Sequence, residues 1–96
     1  IGAAMMYDLK QTPYFSRAFK RFAKRHPELK GATRTTLTTL RENPLAPSLR
    51  LHPLTGRLAG KQAVSINYAY RIVLCVEIAE QEIILHNIGS HDEVYG

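Results

Sequence analysis

The segment YRIVLCVEIAEQEIILHNI, residues 70–88, contains two strand-like runs separated by a short polar connection. The first run, residues 70–78, is nearly all apolar, which is typical of a strand in the centre of a sheet. The connection to the second run, residues 82–88, has the length of a hairpin loop, so we predict that these strands pair antiparallel. Another strand is predicted upstream at residues 62–68, again across a hairpin-sized connection.

Two helices are predicted before these strands. Thr12 suits an N-cap and Pro13 suits the first helical position, and apolar side chains then recur at helical spacing. This apolar stripe comprises Phe15, Ala18, Phe19, Phe22 and Ala23. Pro27 interrupts the pattern, and a second amphipathic helix is predicted over residues 28–43. The short break between the helices predicts an antiparallel helical hairpin.

The whole chain reads as one α+β domain. Residues 6–11 alternate as a first strand, so the element order is β-α-α-β-β-β, with the helical hairpin packed against an antiparallel sheet. We expect residues 1–4 to be a remnant of an expression vector and residues 5–96 to form the domain, because 96 residues suit one small core.

The basic residues are concentrated in the first half of the chain. Residues 1–50 contain ten Lys/Arg against three acids, a net charge of +7, whereas the remainder has a net charge of −2. A basic half predicts a polyanion or an acidic protein as partner, and a solvated face without a partner is the alternative. The single cysteine, Cys75, lies in an apolar run, which predicts a buried small side chain and is typical of a cytoplasmic protein. No apolar run is long enough to cross a membrane.

The residue types suit acid–base chemistry on a phosphodiester. The sequence has no Gly-rich phosphate loop, and its four histidines lack metal-ligand spacing, so no cofactor and no metal are predicted. His52 lies in the central loop near Arg50 and Arg57, Arg71 opens the apolar strand, and His91 follows the last strand. Histidine can exchange protons near neutral pH, and cations can stabilise a phosphorane. The remaining two histidines, His26 and His86, are interpreted as structural, and the same interpretation stays open for His52.

Two motifs resemble the RelE/ParE superfamily of toxins from bacterial type II toxin–antitoxin modules. They are HPLTGRLAGKQAVSINYAYRIVL at residues 52–74 and IGSHDEVYG at residues 88–96, and the likeness extends over residues 6–95. The closest similarity is to the RelE, YoeB and YafQ-like branch. It implies a monomeric, ribosome-dependent mRNA endonuclease that needs no metal and is neutralised by an acidic antitoxin. Neighbouring branches imply the alternatives, which are a ParE-like inhibitor of DNA gyrase or a degenerate toxin that only binds its antitoxin.

The resemblance also implies roles for single residues. His91 matches a general acid, His52 a catalytic histidine, Arg71 a phosphate-stabilising arginine and Tyr95 an aromatic residue that orients the RNA. Charge and resemblance together predict that RNA phosphates contact Arg50, Arg57, Lys61, Lys20 and Lys24. The YafQ-like branch carries a histidine and an aspartate where this chain has Ser65 and Ala69, so the identity of the base stays open.

The tail HNIGSHDEVYG, residues 86–96, is predicted to consist of two structurally different segments. Its first three residues are expected to finish the last strand. From Gly89 the chain is expected to leave the sheet, which would let His91 and Tyr95 face the groove. Asp92 and Glu93 are interpreted as residues that shape the fold or a loop.

Overall fold

The computed structural model describes residues 6–96, so the predicted remnant at residues 1–4 lies outside the described residues. Its longer helices are α1 (Pro13–Arg25) and α2 (Lys30–Glu42), and a short helix α3 (His91–Tyr95) closes the chain. The strands are β1 (Asp8–Gln11), β2 (His52–Pro53), β3 (Gln62–Ser65), β4 (Tyr70–Glu77) and β5 (Glu82–Ser90).

The five strands form one sheet in the order β1-β5-β4-β3-β2. The predicted α+β fold is confirmed, and so is the antiparallel run of β3, β4 and β5 with β4 in the middle of the sheet. The sheet is mixed rather than antiparallel, because β1 pairs in parallel with β5. Parallel neighbours need a long crossover, which the two helices and the later strands supply. Strand β2 was not predicted, since two residues are too few to show an alternating pattern.

The start of α1 agrees with its sequence signal. The Thr12 hydroxyl accepts a hydrogen bond from the Phe15 amide at 3.0 Å, and Pro13 occupies the first turn. The second helix begins later than predicted, at Lys30, because Pro27–Leu29 form a separate 3₁₀ turn.

The core lies between the two long helices and one face of the sheet. Phe15, Phe22 and Leu40 pack there against side chains of the central strands, including Ile72 and Leu85. The predicted apolar stripe is therefore core, except that Ala23 is exposed at the edge of a groove between α1 and α2. Cys75 is only partly buried, and it lies on the sheet face opposite α1 and α2.

That open sheet face carries several of the predicted site residues. Paired residues project to the same side of a sheet, and the register aligns His52 with Ala63, Val73 and Asn87 in one row across β2, β3, β4 and β5. Ser65, Arg71 and Gly89 form the next row on the same face. The register shifts between Val73 and Leu74, so β5 bulges at His86.

The last strand continues past the predicted exit at Gly89. Tyr70 pairs with Ser90 and Arg71 pairs with Gly89, so the chain leaves the sheet only after Ser90. Gly89 is needed for packing, since a Cβ there would lie 2.8 Å from Glu93 Oε1 and 3.1 Å from Glu93 Cβ. The missing side chain lets α3 fold back closely onto the end of β5.

Candidate active site

The helix α3 holds the C-terminal residues in a defined position. Ser90 and Glu93 form a capping box, in which the Glu93 amide donates to Ser90 Oγ at 3.2 Å and the Ser90 amide donates to Glu93 Oε1 at 2.8 Å. Val94 is buried against β4 and β5. The tail is therefore part of the folded domain, and it carries the predicted site residues His91 and Tyr95 on a short, anchored helix.

An ion pair links this helix to the end of α1. Arg25 Nη1 lies 3.3 Å from Glu93 Oε2, and both side chains are more than half exposed. The pKa of Glu93 is lowered chiefly by the hydrogen bond from the Ser90 amide, with smaller contributions from the Ser90 hydroxyl and from Arg25 and His26. The ionised carboxylate is thus the form that stabilises α3.

His91 and Tyr95 lie one helical turn apart and touch edge to face. Their ring centroids are 4.5 Å apart and the rings are nearly perpendicular, at 87°. His91 is exposed, and its Nδ1 lies 3.7 Å from Asp92 Oδ1. The His91 ring is therefore accessible to a substrate.

Two arginines flank this aromatic pair. Arg57 Nη2 donates to the Tyr95 carbonyl at 3.1 Å. Arg71 Nη1 donates to the carbonyls of Asn67 at 2.6 Å and Tyr70 at 3.1 Å, which fixes its guanidinium at the β3–β4 hairpin. Burial raises the pKa of Tyr95, and the nearby positive charge of Arg71 opposes that rise. The structure therefore brings together four of the predicted residues: Arg57, Arg71, His91 and Tyr95.

His52 lies on the same sheet face but at its far edge. Its Nδ1 is 2.9 Å from the carbonyl of Arg50, which only accepts, so Nδ1 carries the proton and Nε2 is left as an acceptor. Arg50 itself is exposed and adopts a left-handed conformation with φ 53°. Two strands separate β2 from β5, and three spacings of about 4.8 Å put their backbones about 14 Å apart. The structure does not bring His52 into contact with His91.

A cleft of about 430 Å³ opens on the same face, next to the aromatic pair. Arg57, Lys61, His86 and Asn87 contribute to its lining. Burial and the charge of Lys61 lower the pKa of His86, so this imidazole is neutral near pH 7. The sequence pattern predicts a structural role for His86 and gives no signal for Asn87, because a strand pattern does not reveal a bulge.

The predicted phosphate ligands of α1 lie elsewhere. Lys20 and Lys24 are exposed, and helical periodicity puts them on the side of α1 opposite the buried Phe22. The α1 cations that approach α3 are Arg21 and Arg25, which line a small cavity with Glu93. Their position beside the apolar stripe, rather than opposite it, is the signal that could have identified them.

Three further observations concern metal clusters, membrane-spanning helices and a second groove in the described residues. Within residues 6–96, no group of three His, Cys, Asp or Glu side chains is placed to hold a metal ion. No helix in this part of the chain has the length and apolar character needed to cross a membrane. A groove of about 640 Å³ lies between α1 and α2, and its lining contains none of the predicted catalytic residues.

Several solved structures of bacterial toxins share this architecture. YafQ from E. coli strain BL21(DE3) matches with a TM-score of 0.78 and 20% identity, covering 94% of this chain and 99% of that chain. The E. coli DinJ–YafQ toxin–antitoxin complex matches with a TM-score of 0.76 and 19% identity, covering 95% of this chain and 99% of that chain. A metal-bound toxin from Helicobacter pylori matches with a TM-score of 0.75 and 27% identity, covering 93% of this chain and 99% of that chain.

The sequence comparison agrees with the structural one. No curated protein matches this chain significantly. Residues 7–96 match the family described as the bacterial toxin of type II toxin–antitoxin system, YafQ. Because that match spans nearly the whole chain, the protein belongs to the YafQ family of type II toxin–antitoxin toxins, within the RelE-like group that its motifs resemble.

Proposed function

We propose that this toxin is an endoribonuclease that cuts ribosome-bound mRNA without a metal. The observation that carries the proposal is the His91–Tyr95 pair, held at a centroid distance of 4.5 Å on an anchored helix beside Arg57 and Arg71. A proton-transfer group, an aromatic ring and two fixed cations at one end of an open sheet suit RNA chemistry.

The reaction is a transesterification. The 2′-oxygen of one ribose attacks the adjacent phosphorus, the bond from phosphorus to the 5′-oxygen breaks, and a 2′,3′-cyclic phosphate remains. A base removes the 2′-hydroxyl proton, and an acid protonates the departing 5′-oxygen, so protons balance. His91 is proposed as the acid, because its exposed ring lies beside Tyr95 at the end of the open sheet face.

The base is proposed to be His52. Its Nδ1–H is engaged by the Arg50 carbonyl, which leaves an unprotonated Nε2 that can accept a proton. Since β3 and β4 separate His52 from β5, this role requires His52 and His91 to reach the same phosphodiester from two sides of the open face.

The arginines and the tyrosine complete the proposed site. Arg71 and Arg57 would neutralise the charge that develops on the equatorial phosphate oxygens, since guanidinium binds phosphate in a fork geometry. The ring of Tyr95 would stack on a base and position the nucleotide. Arg50, Lys61, Lys20 and Lys24 are proposed to contact flanking or ribosomal RNA phosphates through salt-sensitive interactions.

The partner is proposed to be an acidic antitoxin. The similar E. coli YafQ is found in complex with the antitoxin DinJ. The groove between α1 and α2 has apolar walls, including Phe19 and Leu37, while Lys30, Arg34 and Arg41 also line it. Such a groove suits the apolar face of an acidic amphipathic helix.

Mapping the 5′ ends of cellular mRNA after brief toxin induction tests the proposed activity. Wild type should produce new ends within translated regions, and the double variant His91→Ala/Tyr95→Ala should lose them together with growth arrest. The matched control is Tyr68→Ala, since Tyr68 is 93% exposed in the β3–β4 connection. Uncut mRNA with a DNA-damage response would instead identify a gyrase inhibitor, and undiminished toxicity of a well-expressed double variant would refute the proposed site.

A further inference from the structure

The cleft beside the aromatic pair contains groups to which the proposed cleavage chemistry assigns no role. Val73 and Asn87 form part of its floor on the open sheet face, and His86 lies at the bulge that directly precedes Asn87 in β5. Arg57 and Lys61 line it as well, and so does Tyr14 at the start of α1. We infer that this cleft is a subsite for one RNA nucleotide that flanks the scissile phosphate, an inference that rests on the proposed nuclease function.

The charge of the cleft selects an anion. Arg57 and Lys61 are both cationic, and none of the described residues that line the cleft is acidic. A flanking phosphate bound there would therefore meet Lys61 without a competing carboxylate, and Arg57 would lie between it and the scissile phosphate. The volume of about 430 Å³ lies in the range of sites that hold a small organic ligand rather than an inorganic ion.

The neutral groups of the cleft suit a nucleobase. Asn87 Oδ1 accepts a hydrogen bond from the Ile88 amide at 2.8 Å, which leaves the Asn87 NH₂ group to donate to a ligand. The neutral imidazole of His86 offers one donor and one acceptor. Tyr14 is 55% exposed, so its ring is accessible for stacking on a base. The cations thus suit the phosphate of one nucleotide, the hydrogen-bonding groups suit the edge of its base, and the Tyr14 ring suits the face of that base.

The position of the cleft makes that nucleotide a neighbour of the scissile bond. Arg57 lines the cleft and also donates to the Tyr95 carbonyl at 3.1 Å. Val94, the residue before Tyr95, lines the cleft too. An RNA chain that stacks on Tyr95 would thus pass directly into this cleft. Identity of the base held by His86 and Asn87 would then contribute to the choice of cleavage site.

Binding to an uncleavable RNA tests the subsite separately from catalysis. Fluorescence anisotropy with a short 2′-O-methyl RNA should show that Lys61→Ala weakens binding several-fold and lowers the salt slope by about one, as expected for one lost phosphate contact. Asn87→Ala should weaken binding by roughly threefold to tenfold and relax the preference for the flanking base. The matched control is Lys30→Ala, at the start of α2, which removes the same charge from the groove on the other side of the sheet.

The outcomes separate the two proposals. Wild-type affinity in both Lys61→Ala and Asn87→Ala, with native thermal unfolding, would overturn the subsite even if mRNA is cut in cells. Binding that depends on Lys61 and Asn87, without any cleavage of mRNA, would retain the subsite and refute the nuclease. A nucleoside monophosphate that binds as tightly as the oligonucleotide would also overturn the inference, because the flanking chain would then contribute nothing.

Discussion

At the scale of the residue, the ring and the hydroxyl group of Tyr95 have different effects on the proposed site and on stability. Its side chain is partly buried, and its hydroxyl oxygen is a buried atom without a hydrogen-bond partner in the described part of the chain. Leaving a buried hydroxyl unpaired costs about 1–3 kcal/mol. The ring, by contrast, contacts His91 edge to face. The structure therefore favours a stacking role for Tyr95 over a proton-transfer role.

Substitution of Tyr95 separates these two roles. Tyr95→Phe should retain RNA cleavage within a fewfold and raise the free energy of unfolding by up to about 1 kcal/mol, because it removes the unpaired hydroxyl and keeps the ring. Tyr95→Ala should lose cleavage. Single-turnover cleavage and urea unfolding measure the two effects. An inactive Tyr95→Phe variant with native stability would show that the hydroxyl takes part in the chemistry.

At the scale of the element, α3 depends on contacts with the rest of the domain. Five residues are too few for a stable isolated helix. The capping box is expected to contribute about 1 kcal/mol, whereas an exposed ion pair such as Arg25–Glu93 contributes between about 0 and 1 kcal/mol. The cap and the burial of Val94 therefore matter more than the ion pair, and Arg25→Ala should be milder than loss of the Glu93 carboxylate.

Glu93→Gln tests this dependence through pH. The pKa of Glu93 is lowered from its ordinary value of 4.5, so its carboxylate stabilises the fold above that pH and this contribution is lost as the pH falls through the lower folded pKa. Wild type should lose more stability on acidification below pH 4.5 than Glu93→Gln does. Urea unfolding over a series of pH values measures the difference. Glu80→Gln, in the exposed β4–β5 turn, is the charge-matched control.

Displacement of α3 from its place on the sheet should also reduce RNA cleavage. Glu93→Gln is expected to reduce RNA cleavage at neutral pH, because His91 and Tyr95 share the helix that Glu93 caps. Equal acid sensitivity of wild type and Glu93→Gln would mean that the cap contributes little to the position of α3.

At the scale of the whole molecule, the sheet separates two functional surfaces. Its open face carries the proposed active site, and its covered face carries α1 and α2 with the groove of about 640 Å³ between them. An antitoxin helix in that groove would lie on the opposite side of the sheet from His52 and Arg71. Binding in the groove can therefore be weakened without damage to the RNA site.

Reversal of one charge in the groove tests this separation. Arg34→Glu should weaken antitoxin binding by roughly tenfold at low salt and less at high salt, because the lost attraction is screened. RNA cleavage should be unchanged. The control is Arg17→Glu, an exposed charge reversal on α1 that lies outside the groove. Calorimetry with purified antitoxin measures both variants, and equal affinities would place the antitoxin elsewhere.

The local pattern of the sequence was enough for most of the elements. Apolar periodicity and the Thr12-Pro13 cap located α1, and the hydrophobic run at residues 70–78 identified the central strand, because these signals come from neighbours in the chain. The strand β2, the parallel pairing of β1 and the end of β5 at Ser90 depend on partners distant in sequence. These partners cannot be identified from the residues that neighbour each strand in the chain.

The same distinction applies to the candidate site. The sequence alone determined the fold class and the family resemblance, and that resemblance predicted a site at His91 and Tyr95 in the tail. Only the tertiary structure decided that Arg57 contacts Tyr95, that His86 turns at a bulge into a cationic cleft, and that Lys20 and Lys24 face away from it. The physical reason is that a helix face or a sheet register is set by packing of the whole core. Which charges meet on one surface follows from that packing.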